Sequence, residues 1–172
     1  MIHPSLVHSK LLEIGGDTNI ERAVSNAMND HDSVGGLIEC KVTGLPAGLG
    51  EPFFDSMEAR LAHAIFSVPA IKGLEFGSGF KAASMKGSQH NDSFVSTDGK
   101  TRTNNAAGIN GGITNGNDIV FRVAVKPTSS IGKAQHTINL KTGEMTDLKV
   151  EGRHDSCIAL RIPPVIEAMT AT

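Results

Sequence analysis

A chain of 172 residues suits one domain, and its formal net charge of −2 argues against nucleic-acid binding driven by bulk positive charge. Hydrophobic residues make up 39% of it and aromatics only 4%, all Phe, so the core must rest on Ile, Val, Leu, Met and Ala. With no signal peptide and no apolar run long enough to span a bilayer in view, a soluble, cytoplasmic protein without membrane contact is expected.

In chain order, residues 1–16 read as an irregular lead-in closed by Gly15-Gly16. Asp17 or Thr18 is the expected cap of a first helix, whose apolar stripe is Ile20, Ala23, Val24, Ala27 and Met28. The helix should stop near residues 29–32. Ile38, Cys40 and Val42 alternate with Glu39, Lys41 and Thr43, the pattern of a strand with one wet face. Residues 44–52 form a turn-rich loop. Asp55 is the expected cap of a second helix, with Glu58 completing a capping-box pattern and Met57, Leu61, Ala64 and Ile65 facing inward. Pro69 follows its end, and residues 71–76 make a short strand.

Residues 77–117 are rich in Gly, Ser, Asn, Asp and Thr, and so long a structureless loop inside a compact domain is usually functional or disordered. Ile119, Phe121, Val123 and Val125 mark a strand covered largely on both faces. Residues 135–140 and 145–150 flank Thr142-Gly143 as a hairpin. Pro163-Pro164 opens a last helix packed by Val165, Ile166, Ala168 and Met169. The whole reads as a single α+β domain, residues 1–172, with helices packed on an antiparallel or mixed sheet. Cys40 and Cys157 have neither metal spacing nor a disulfide framework, and both read as buried packing residues. No metal site is expected.

Two stretches carry candidate chemistry. Glycines and asparagines crowd residues 104–118 and run into the 119–125 strand, which Lys126-Pro-Thr-Ser-Ser130 closes. A cation beside free hydroxyls and amides suits a phosphate group, and Pro127 fixes the turn. Arg153-His-Asp155 sets a residue able to hold an anion bidentately next to a carboxylate that can act as a base. Taken alone, each is more readily an ordinary turn, strand-ending in the first case and charged in the second.

These stretches, together with Gly44-Leu-Pro-Ala-Gly-Leu-Gly-Glu-Pro52, Lys72-Gly-Leu-Glu-Phe-Gly-Ser-Gly-Phe80, Gly87-Ser-Gln-His-Asn-Asp92 and Gly152-Arg-His-Asp-Ser-Cys157, resemble the chorismate synthase family in order and spacing. The resemblance covers roughly residues 33–170. It departs at Ser156, where the family has Pro, though Ser also favours turns. It implies a β-α-β sandwich and a homo-oligomer, dimer or tetramer. It also implies a reaction that removes phosphate and a proton from 5-enolpyruvylshikimate-3-phosphate in a 1,4 sense with reduced FMN. Whether NADPH reduces the flavin on the protein is left open. The resemblance assigns Lys126, Pro127, Thr128, Ser129, Ser130, Gly111, Pro69, Ala70 and Arg153 to the flavin. It further assigns Arg153 to the substrate, and Asp155 to proton acceptance near the flavin. The Gly87 to Asp92 block reads as a lid or rim of the site, or else as a flexible surface loop.

Family members are about twice as long. Their N-terminal Ser-His-Gly motif, two catalytic histidines, several substrate arginines and Arg-Ser-Ser motif have no counterpart here, so the expectation is a C-terminal portion. Three readings follow: an enzyme, a flavin-binding module that cannot turn over alone, and a structural or assembly piece. Such a portion should expose apolar surface and self-associate, as a dimer covering that face.

Overall fold

The computed structural model describes residues 2–172. Its elements in order are β1 (Val7–Ile14), α1 (Ile20–Asn29), β2 (Gly36–Val42), α2 (Met57–Phe66), β3 (Ile71–Phe76), α3 (Gly87–His90), β4 (Ile109–Asn110), β5 (Ile113–Thr114), β6 (Ile119–Val125), β7 (Gln135–Ile138), β8 (Met145–Leu148) and α4 (Pro163–Ala171). The α+β class holds, and every strand pair is antiparallel.

The main sheet has the order β1-β2-β6-β3. One register row runs Ser9, Cys40, Phe121, Phe76, and the next Leu11, Ile38, Val123, Leu74. These rows face the helices: α4 packs on β1 and β2, α2 packs on β3, and the two helices touch each other. Ile38, Cys40, Val42, Ile119, Phe121 and Val123 are fully buried there, as the period-two alternation predicts. On the opposite face, one row reads Lys10, Glu39, Arg122, Glu75. Its alternating charges pair across strands, Lys10 with Glu39 at 3.1 Å and Arg122 with Glu75 at 2.7 Å. The charged row keeps that face of β6 only half-buried, so the strand is not covered equally on both sides.

Several boundaries differ from expectation. The irregular lead-in does not hold, because residues 7–14 are an edge strand. Ser9 points inward as a polar residue, and its N–H and hydroxyl both donate to Glu167 of α4, at 2.7 and 2.9 Å. A bulge between Leu11 and Glu13 then shifts the register. Asn19, not Asp17 or Thr18, caps α1 by accepting from the Arg22 N–H, while Asp17 pairs with the Arg22 guanidinium. The end of α1 is a Schellman turn: the His31 N–H reaches the Met28 carbonyl, the Asp32 N–H reaches the Ala27 carbonyl, and His31 takes φ +54°. Ser56 rather than Asp55 caps α2, accepting from Ala59 N–H at 3.1 Å. In α4 the buried positions are Ile166, Thr170 and Ala171, while Val165 and Ala168 are exposed.

Residues 77–117 are not structureless. A 3-10 turn at Gly79–Ser84, α3 and the β4-β5 ribbon punctuate them. Asn side chains hold the rest: Asn104 donates to the Asp118 carbonyl at 2.7 Å, and Asn117 to the Gly99 carbonyl at 3.0 Å. Short amides and carboxylates supply the partners that a sheet or helix would otherwise give the backbone. Among the described residues, no helix is long and apolar enough to cross a membrane.

Candidate functional site

Residues 126–130 leave the end of β6 where three strands converge, since Val125 is opposite both Gly36 and Ile71. Lys126 N–H donates to the Ala70 carbonyl at 2.9 Å. Ala70 itself holds φ +71°, a left-handed conformation that a non-glycine residue adopts only under constraint. Pro127 lies against Gly35, where an added Cβ would collide with the Val125 carbonyl oxygen and come within 3.2 Å of Pro127 Cδ. Only a glycine lets these two segments pass so closely.

Beyond Pro127, residues 31–34 run between two turns. On one flank Ser33 Oγ donates to the Thr128 carbonyl at 2.5 Å, and Gly132 N–H donates to the His31 carbonyl at 3.1 Å. Lys133 Nζ bridges Asp30 and Asp32 at 3.0 Å each. Hydrogen bonding to Lys133, then to the Ser33 N–H, holds the Asp32 carboxyl below its usual range. On the other flank Val34 N–H donates to the Ser156 carbonyl at 2.9 Å. The 126–130 and 153–156 turns are thereby tied to one short segment. A cavity of about 430 Å³ opens beside it, bounded by His31, Asp32, Gly132, Lys149, His154 and Ser156.

Within the second turn, His154 Nε2 donates to the Val150 carbonyl at 2.8 Å, which makes that ring a strut of its own loop. The Asp155 carboxylate lies against the Arg161 guanidinium and accepts a long bond from Cys157 N–H, 3.4 Å. Arg153 is exposed and has no ion-pair partner among the described residues, and the same is true of the half-buried Lys126. Thr128 Oγ1 is enclosed yet has no hydrogen-bond partner there, an arrangement that calls for an explanation in a folded protein. Pro69 and Ser129 are exposed; Ser130 is half-buried.

Gly111 stands apart. It forms the exposed β4-β5 turn at φ +59°, with open space where a Cβ would project. Its neighbour Gly112 accepts from Met57 N–H at 2.8 Å, which puts this turn at the start of α2, whereas Ala70 follows that helix's end. Ten residues of helix rise about 15 Å, so Gly111 and the Ala70–Lys126 contact lie a helix length apart.

The Gly87 to Asp92 block is anchored by its last residue. Asp92 accepts from Thr103 Oγ1 at 2.7 Å, Asn105 N–H at 2.8 Å and Ala106 N–H at 2.9 Å. A larger groove of about 890 Å³ lies between α2 and α4, rimmed by Phe54, Met57 and Met169. It carries none of the flavin, substrate or proton-accepting residues assigned from sequence. Ser33, Asp32 and Lys133 escaped the sequence reading, which named Asp92 only as the last residue of its block. For the first two, the Asp32-Ser-Val-Gly-Gly36 run was a signal, since turn-forming residues precede paired glycines.

Comparison with known proteins gives a consistent result. A family model described as chorismate synthase matches residues 9–172. The chain is 59% identical to the chorismate synthase of Chitinophaga pinensis over 165 residues, covering 96% of this chain and 50% of that protein. It is 55% identical to the Methanosarcina mazei chorismate synthase over 150 residues, covering 86% of this chain and 41% of that one. A crystal structure of chorismate synthase superimposes with a TM-score of 0.64 at 30% identity, covering 72% of this chain and 49% of the other. The chain spans about half the length of the curated relatives it matches, or less.

Proposed function

Because the chain belongs to the chorismate synthase family, we propose that it forms the flavin-facing part of an enzyme acting on 5-enolpyruvylshikimate-3-phosphate. That enzyme removes phosphate and a proton from the substrate in a 1,4 sense, with reduced FMN as cofactor. The observation that carries this reading is the meeting of the 126–130 turn with the Arg153 turn across residues 31–34. One turn offers a cation and hydroxyls, the other a free guanidinium, and the ligands of this reaction are anionic.

The residues present fit a phosphate-bearing flavin. Lys126 and Arg153 have no competing carboxylate among the described residues, and the Thr128 hydroxyl lacks a partner. Lys126, Thr128, Ser129, Ser130 and Arg153 would hold the cofactor through charge and hydrogen bonds. The main chain at Pro127, Pro69 and Ala70 would close around it. Gly111, a helix length away, is the member of the set least tied to this turn. When bound, reduced FMN supplies an electron-rich ring against the substrate and ends in the state in which it began. Arg153 also orients the substrate anion. Asp155, positioned by Arg161 and the Cys157 N–H, accepts the proton. The Gly87 to Asp92 block, fixed by Asp92, forms part of the rim. A cytoplasmic homo-oligomer, dimer or tetramer, completes the proposal, with NADPH involved only where the flavin is reduced on the protein.

The test is an anaerobic titration of the purified chain with reduced FMN, followed by absorbance. Saturable binding that weakens in Arg153→Ala and in Lys126→Ala supports the reading. Absence of binding at millimolar flavin overturns it for this chain.

A further inference from the structure

We propose that Ser33 is a positioning residue of this site, and that its hydroxyl sets the spacing between the two ligand-facing turns. The inference deepens the functional reading above and rests on it for its ligand. Its structural content stands on the geometry alone.

Ser33 hydrogen-bonds to Thr128 and Asp32 rather than to the candidate ligand groups of Lys126 or Arg153, and acts through what it holds. Its Oγ donates to the Thr128 carbonyl at 2.5 Å across 95 residues of sequence. With the carbonyl of Thr128 engaged, the peptide is fixed in one orientation, and the Thr128 hydroxyl is left without a partner. The next residue, Val34, donates its N–H to the Ser156 carbonyl. One dipeptide therefore grips both turns through its two donors. Ser33 is itself fixed from behind, because its own N–H donates to Asp32 Oδ1 at 2.8 Å and Asp32 is held by Lys133 at 3.0 Å.

The neighbouring links cannot replace the hydroxyl. Gly132 and Lys133 attach to His31, Asp30 and Asp32, beyond the turn rather than at Thr128. Removing the Ser33 hydroxyl leaves the Thr128 carbonyl free to rotate, while the β2 register set by residues 36–42 is untouched. A net hydrogen bond of about 0.5–1.5 kcal/mol corresponds to roughly a two- to twelvefold change in a local equilibrium.

The experiment compares wild type, Ser33→Ala and Ser33→Thr in two readouts. The first is amide hydrogen exchange without ligand at Val34, Lys126 and Gly132, with Cys40 and Phe121 in the sheet as reference. Exchange about three- to tenfold faster at the first three in Ser33→Ala, with the sheet unchanged and Ser33→Thr restored, supports the proposal. Unchanged exchange at Lys126 and Gly132 overturns it, as does acceleration spread evenly into the sheet, which would mark a general loss of stability. The second is the titration with reduced FMN, where Ser33→Ala should raise Kd by about three- to tenfold and Ser33→Thr should not. Equal Kd values for wild type and Ser33→Ala overturn the positioning role. If the wild-type chain binds no flavin, the functional reading fails, and hydrogen exchange still decides whether Ser33 couples the turns.

Discussion

Asp92 accepts from Asn105 twice through one oxygen, from the backbone N–H at 2.8 Å and from the side-chain amide at 3.1 Å. The same Asn105 amide reaches the carbonyls of Gln89 and His90 at 3.4 and 3.1 Å. Two distant parts of the polar loop are thus knotted at one carboxylate. Burial works to raise the Asp92 pKa, but bonds from Ala106, Asn105 and Thr103 outweigh it and leave the carboxyl below its usual value. The group is depressed in the folded state, so its stabilisation is fully present above the ordinary Asp value of about 3.9 and is lost as pH falls below it. Asp92→Ala should therefore speed proteolysis within residues 86–106 at pH 7, at a cost of about 2 kcal/mol to that loop. The difference from wild type should shrink as pH falls toward 3. A difference that stays constant down to pH 3 would show that the charge is irrelevant.

Gly35 is a second point where one atom decides the outcome. A Cβ there meets the Val125 carbonyl oxygen and Pro127 Cδ, neither of which is the end of a flexible side chain. Gly35→Ala should cost about 2–3 kcal/mol in urea unfolding. Gly87→Ala, whose Cβ meets nothing within 4 Å, should stay within about 0.5 kcal/mol. Similar midpoints for the two variants would contradict the close passage of Gly35 and Pro127.

Both cysteines should resist modification in the folded protein. Burial pushes the Cys40 thiol up to about 11, and burial likewise raises Cys157. Raised thiol values mean little thiolate at neutral pH, and the thiolate is the reactive form. A chromogenic disulfide reagent at pH 8 should label neither residue natively and both in denaturant. Rapid native labelling at Cys157 would mean that the Arg153 turn opens readily.

The centre of the core is equally testable. Phe121 is fully buried, and its ring centroid lies 5.7 Å from that of Phe76. Phe121→Ala should destabilise by about 3–5 kcal/mol, read from the urea midpoint at unchanged slope. A loss under 1 kcal/mol would mean that the sheet can repack without it.

What the sequence disclosed and what it hid can be traced to particular residues. Ile38, Cys40 and Val42 alternate cleanly, as do Ile119, Phe121, Val123 and Val125, and both runs are central strands buried on the alternating side. β1 was missed for two reasons that periodicity cannot reveal. Its inward Ser9 is polar and is satisfied only by Glu167 and Pro163, far along the chain, and its bulge breaks the alternation. The helix caps failed more narrowly: Asp17 and Asp55 are good caps in isolation, but Asp17 is taken by Arg22, and Ser56 stands one residue closer to α2. At the site, resemblance named residues on separate segments. It could not show that residues 31–34 join two of them while Gly111 stands at the far end of α2, because that depends on long-range pairing.

The bond between Ser9 and Glu167 also orders events in time. Its two ends are 158 residues apart, so a ribosome adding about 5–20 residues per second needs roughly 8–30 s to supply the partner after β1 emerges. Through that interval the inward hydroxyl of β1 lacks its Glu167 partner, and the strand lacks the cover of α4. The first strand of the sheet is therefore among the last pieces to be locked, and the nascent chain is most open to wrong pairing at the edge that β1 forms.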